Sequence, residues 1–140
     1  MKKIIVLVLL TIILSFNTFT GAESNNSEAV IKISAIGDLV MHIPVKMSAK
    51  MHNKTKDGKS INNNGFDYLF APTKPIFKKH DATIANMEFP VVHPFDSRAF
   101  NFNCEPEIIP AMLQSGINVV TVANNHTYDK GVNGLIETLE

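Results

Sequence analysis

An α/β fold, a layered parallel sheet with helices on both faces, is what this sequence predicts, and three observations predict it. Three short runs rich in β-branched residues, Ala29 to Ile36, Ala82 to Ala85 and Ile117 to Val122, are apolar almost throughout rather than alternating, as strands buried on both faces are. Segments with helical spacing separate them, giving a repeated β, helix, β order. Each run also exits into polar residues: Gly37-Asp38, Asn86-Met87-Glu88 and Ala123-Asn124-Asn125-His126. In open parallel sheets the carboxyl ends of the strands are where ligands bind.

The elements follow in order. Residues 1–22 read as a secretory signal peptide: Lys2 and Lys3 are a positive start, Ile4 to Phe16 an apolar core, and Thr20-Gly21-Ala22 a small-residue cleavage site. The apolar run falls short of the ~20 residues a membrane span needs, so export with cleavage after Ala22 is expected, and contact with a membrane only through this segment. Residues 23–28 form a polar leader without periodicity, and residues 29–140 form the domain. After the first strand, a helix is expected from Pro44 to Met51, with Pro at its first turn. Asn53 to Gly65, with Asp57-Gly58 and Asn64-Gly65, reads as an exposed loop. Phe66 to Lys79, broken by Pro72 and Pro75, reads as two short helical pieces. Phe89 to Cys104 is a long loop whose phenylalanines tack it onto the core. Glu105 to Ser115 reads as a helix with Ile108, Met112 and Leu113 as its buried stripe and Gly116 as its C′ residue. The chain stops at Glu140 inside an apparent helix, so a domain truncated at its C-terminus is expected.

Charge excludes some functions. Of 13 basic residues, removing Lys2 and Lys3 leaves 11 against 13 acidic, a mature net charge near −2. The one basic cluster, Lys54, Lys56 and Lys59, is diluted by Asp57 and lacks interleaved aromatics, so no nucleic-acid partner is expected. An anionic polymer stays open as a partner. Cys104 is the single cysteine, which excludes an internal disulfide and a cysteine-based zinc site. The strand ends instead offer two carboxylates, Asp38 and Glu88, and an amide beside an imidazole, Asn125 and His126. Such donors suit hard or borderline divalent cations. A blander reading stands beside this one: Asn124 and Asn125 make a turn, His126 caps the next helix, and Asp38 caps another. His42, four residues after Asp38, is a surface histidine on that reading.

Gly37-Asp38, Asn86-Met87-Glu88-Phe89-Pro90 and Ala123-Asn124-Asn125-His126-Thr127-Tyr128-Asp129-Lys130-Gly131, followed by Gly134 to Leu139, resemble the CapA-type proteins of poly-γ-glutamate capsule biosynthesis. That family is similar to the calcineurin-like metallophosphoesterases, and the resemblance covers Ile31 to Glu140. It implies a metallophosphoesterase-like fold and a role in capsule polymer synthesis or export, with the capsule machinery as partner. It further implies Asp38 as the first metal ligand, Glu88 near a bridging carboxylate, Asn125 as an amide ligand and His126 as the catalytic histidine. The implied cofactors are divalent metal ions, two in the phosphoesterases. The sequence departs from the phosphoesterase pattern at Val40, where a histidine is usual, and at Glu88, where aspartate is. A non-catalytic assembly or polymer-binding factor, or an inert fragment, therefore remains an alternative to a phosphoesterase.

Overall fold

The computed structural model describes residues 28–59 and 62–140. The signal peptide and most of the polar leader lie outside the described residues. Three strands, β1 (Ile33–Leu39), β2 (Ala82–Met87) and β3 (Val119–Thr121), form one sheet in the order β1-β2-β3. Both pairings are parallel, so the α/β class read from the sequence is the one observed. Five helices accompany the sheet: α1 (Ile43–Met51), α2 (Phe66–Phe70), α3 (Lys74–Phe77), α4 (Ile108–Ser115) and α5 (Gly131–Leu139).

β1 begins later and runs further than its apolar pattern suggests. Ile33 pairs with Ala82 and Ala35 with Ile84, but Asp38 pairs with Asn86, so one extra residue sits between Ala35 and Asp38. This bulge lets the strand pass through Gly37 and carries Asp38 into the ladder, where the sequence places it just past the strand end. β3 is shorter than its apolar run. At its start, Asn118 N donates to Thr83 O at 3.2 Å, and the Asn118 side chain adds to this backbone bond: its Oδ1 accepts from Thr83 N at 2.9 Å and its Nδ2 donates to Asp81 O at 3.2 Å.

β2 alternates strictly, with Thr83, Ala85 and Met87 buried. Those residues face a core built from Phe66, Phe70, Phe77, Phe89, Phe102, Ile108, Met112 and Ile117. The other face, carrying Ile33, Ala35 and Val119, stands exposed among the described residues. On α4 the buried residues are Ile108, Ala111, Met112 and Ser115, a full i, i+3, i+4, i+7 stripe. Leu113 is 55% exposed, because that stripe centres on the small residues Ala111 and Ser115, which let the helix pack closely. Gly116 ends α4 with φ 106°, as a C′ glycine does.

One glycine-containing turn holds α1 against α2. Asn63 and Asn64 take left-handed backbone, and Gly65 follows at φ 86°. A Cβ on Gly65 would lie 2.1 Å from Ala49 O, so only glycine allows α1 and the start of α2 to touch.

The loop 89–104 is fastened at its core by more than its phenylalanines. Phe89 and Phe102 are buried, while Phe100 is 83% exposed and tacks nothing. The polar pin is Lys46, buried on α1. Its Nζ donates to Phe95 O at 2.8 Å and Asn103 O at 3.0 Å, and it pairs with Glu105 at 3.1 Å. Burial works to raise the Glu105 pKa, but the hydrogen bond and charge of Lys46, helped by Lys50, hold it below its usual value. Neighbouring Cys104 is fully buried, and burial pushes its thiol far above the ordinary range, so it stays protonated and inert.

Candidate functional site

The carboxyl ends of the three strands bring polar residues together. Asn86 and Glu88, two apart on one chain, share a side of β2 and its extension. Glu88 N donates to Leu39 O at 3.1 Å, which continues the β1 to β2 contact past the last ladder residue. Asn86 Nδ2 donates to Asp38 Oδ1 at 2.8 Å and to Glu88 Oε2 at 3.3 Å. Both carboxylates therefore lean on one amide nitrogen.

The turn after β3 supplies the third side. Asn124 Oδ1 accepts from His126 N at 3.0 Å, closing an Asx turn. Thr127 Oγ1 accepts from Asn124 N at 2.9 Å and lies against Val122 O, which stiffens the turn. That turn aims His126 inward, its side chain 14% exposed. Its Nδ1 is 2.8 Å from Asp129 Oδ2, and its Nε2 is 3.7 Å from Glu88 Oε1. Phe102 stacks against the imidazole at a ring separation of 4.2 Å, and the Phe102 N–H donates to Asp129. Asn101 Nδ2 donates to Asp129 O at 2.8 Å. The loop pinned by Lys46 thus grips the residue that holds His126.

Of the four residues singled out from sequence, Asp38, Glu88 and His126 come together. Asn125 is exposed at the tip of the turn, and Asn124 is the amide inside the network. His42 is the N-cap of α1 and meets the edge of Phe102 at 5.9 Å. Asn86, Asp129, Thr121 and Phe102 were not assigned roles by sequence reasoning. Two signals pointed to the first pair: Asn86 stands two residues before Glu88 in a strand, and Asp129 three after His126 in a turn.

A divalent cation fits the donors in kind. Asp38 and Glu88 each give one oxygen to the Asn86 amide, and the other oxygen of each, Asp38 Oδ2 and Glu88 Oε1, is a hard donor free of that amide. Among the described residues no three of His, Cys, Asp and Glu gather closely enough to hold a metal by themselves, so amide oxygen would have to complete a shell.

The sequence profile of the family described as "Bacterial capsule synthesis protein PGA_cap" matches residues 32–140. The chain belongs to this family. It is 26% identical over 116 residues to the capsule biosynthesis protein CapA of Bacillus anthracis, covering 79% of this chain and 25% of that protein. With the PGA biosynthesis protein CapA of Bacillus subtilis (strain 168) it shares 26% identity over 117 residues, 81% of this chain and 28% of that one. An uncharacterized protein, y4sH of Sinorhizobium fredii (strain NBRC 101917 / NGR234), is 34% identical over 86 residues, 54% of this chain and 18% of its own length. The chain spans about a quarter of the length of the two CapA relatives. All the strand-end residues described above lie within the stretch that the PGA_cap profile matches.

Proposed function

We propose that this PGA_cap protein is exported and serves in capsule polymer synthesis as a metal-dependent phosphoesterase. The observation that carries the reading is the convergence of Asp38, Glu88 and His126 at the carboxyl ends of parallel strands, with both carboxylates on one amide. Asp38 and Glu88 would hold a divalent cation, and exposed Asn125 would add its side-chain oxygen. A divalent cation held there would supply Lewis-acid polarisation of a phosphoryl oxygen and lower the pKa of a nearby water.

The chain's own residues supply the rest. With Asp129 fixing Nδ1, the free nitrogen of His126 is Nε2, which faces the Glu88 side. Protonated there, His126 gives its Nε2 proton to the leaving oxygen as the phosphorus–oxygen bond breaks, and remains as neutral imidazole. Asp129 keeps the ring from rotating, while Phe102 covers one face of it from water.

Residues 1–22 would direct export, with cleavage after Ala22. Among the described residues no helix is long and apolar enough to cross a membrane. Capsule-synthesis machinery and an anionic polymer are the partners this reading implies.

A second reading has its own support. Val40 stands where the phosphoesterases usually place a histidine, and the described residues gather no three-ligand acidic or histidine cluster. A non-catalytic assembly or polymer-binding factor would need neither. Turnover of a generic phosphodiester with added Mn²⁺, by the parent and by His126→Ala, separates the two. Parent turnover that His126→Ala loses supports the enzyme; no turnover by the parent with Mn²⁺ bound supports the assembly factor.

A further inference from the structure

Asn86 has every hydrogen-bonding position of its side chain in use, and the polarity of those bonds is fixed from the backbone outward. Asn124 comes first. Its Oδ1 accepts from a backbone donor, His126 N, and its Nδ2 donates to a backbone acceptor, Met87 O, at 3.0 Å. The amide therefore has one permitted orientation. Its second Nδ2 hydrogen goes to Asn86 Oδ1 at 3.1 Å, which also accepts from Thr121 Oγ1 at 3.2 Å. Both lone pairs of that oxygen are thereby taken. Reversing Asn86 would set its NH₂ against the NH₂ of Asn124, so the two Asn86 hydrogens must face Asp38 and Glu88.

Register matters equally. Had the ladder kept the spacing of its first three pairs with no bulge, Asp38 would stand opposite Met87, on the buried face. The bulge sets it opposite Asn86 instead.

We propose that Asn86 is a positioning residue of the cation site, resting on the function proposed above: one hydrogen to each carboxylate fixes Asp38 Oδ1 and Glu88 Oε2 and leaves Asp38 Oδ2 and Glu88 Oε1 as the oxygens for a cation, with the orientation relayed from the backbone through Asn124. Two carboxylates held beside one another repel, and a fixed neutral donor bonded to one oxygen of each offsets that repulsion before any cation arrives. A site held in this way has less to reorganise on binding.

The test has two arms on the same chain. Without added cation, the side-chain NH₂ resonances of Asn86 in a ¹⁵N-labelled sample should shift in Asp38→Asn and in Glu88→Gln, each variant moving chiefly one proton of the pair. Resonances that stay put in both variants overturn the relay. In the second arm, Mn²⁺ alone is titrated calorimetrically. Asn86→Ala should weaken binding by about 10- to 100-fold, the scale for an outer partner that orients a ligand. The isosteric Asn86→Asp keeps the bonds to Thr121 and Asn124 but turns a third carboxylate oxygen toward the site, so Mn²⁺ should bind roughly tenfold tighter as ligand charge rises. Unchanged Mn²⁺ affinity in both Asn86 variants overturns the positioning role. A parent that binds no Mn²⁺ overturns the cation reading itself, and the amide resonances then still decide the relay on their own.

Discussion

Replacing Lys46 by methionine should destabilise the fold by about 2–3 kcal/mol at neutral pH, and the structure sets that figure from two sides. Removing one partner of a buried ion pair costs roughly 3–5 kcal/mol when the other charge is left uncompensated. Here the loss is tempered. Glu105 keeps Lys50 at 3.3 Å, and Asn103 O keeps the Ser97 hydroxyl at 2.6 Å, so Phe95 O is the acceptor whose bond to Lys46 has no such replacement. Methionine fills similar volume, which keeps a cavity term small. Urea unfolding of parent and variant, followed by circular dichroism, measures the difference. The pH dependence gives a second handle. Glu105 sits below its usual 4.5 in the folded chain, so the pair's contribution is complete above about pH 4.5 and is lost as pH falls through the lower folded value. Parent and variant curves should therefore converge in acid. A variant within about 0.5 kcal/mol of the parent at neutral pH, the range of an ordinary surface change, would refute the account of how loop 89–104 is held.

Three further outcomes follow from particular contacts. Gly65→Ala should cost more than about 2 kcal/mol, since the new methyl meets Ala49 O at 2.1 Å on a backbone already at φ 86°, and a thermal melt will read it. His126→Ala should leave bound metal in place while slowing phosphodiester hydrolysis by about 10²- to 10⁴-fold, the range for a lost general acid; parallel loss of metal would instead make His126 a ligand. Intact mass of the secreted chain should begin at Glu23, whereas a membrane fraction retaining Met1 would mean an uncleaved anchor.

The parts of the fold that sequence made legible are those governed by periodicity. α4, its glycine stop and the two proline-broken helices lie close to where apolar spacing and the breakers put them, whereas β2 lies where its apolar run puts it but buries alternate residues on one face rather than both. The misplaced boundaries have local polar causes that periodicity does not see. Asn118 looks like a strand residue in an apolar run, yet β3 begins only after it, where its side chain bonds Thr83 N and Asp81 O beside its backbone bond to Thr83 O. The bulge before Asp38 adds no residue type that marks it, and Gly37 has open space around it, so only the register reveals the change of face.

The site divides along the same line. Asp38, Glu88 and His126 were visible because each follows an apolar strand. Their connections were not, because hydrogen-bond polarity depends on partners 35 to 48 residues away, as in Thr121 to Asn86 and Asn86 to Asp38. The choice between Asn124 and Asn125 as the inward amide rests on turn geometry alone. Lys46 was read only as a helix residue, since nothing in its local sequence signals that Glu105 and two loop carbonyls wait across the fold.

Elemental analysis of the chain purified without chelator, beside Asp38→Ala and Asn125→Ala, tests the central claim most directly. The account predicts divalent metal in the parent and a marked loss in both variants, each having given up an oxygen donor. A parent free of metal after dialysis against Mn²⁺, or variants that retain the parent's full content, would contradict it.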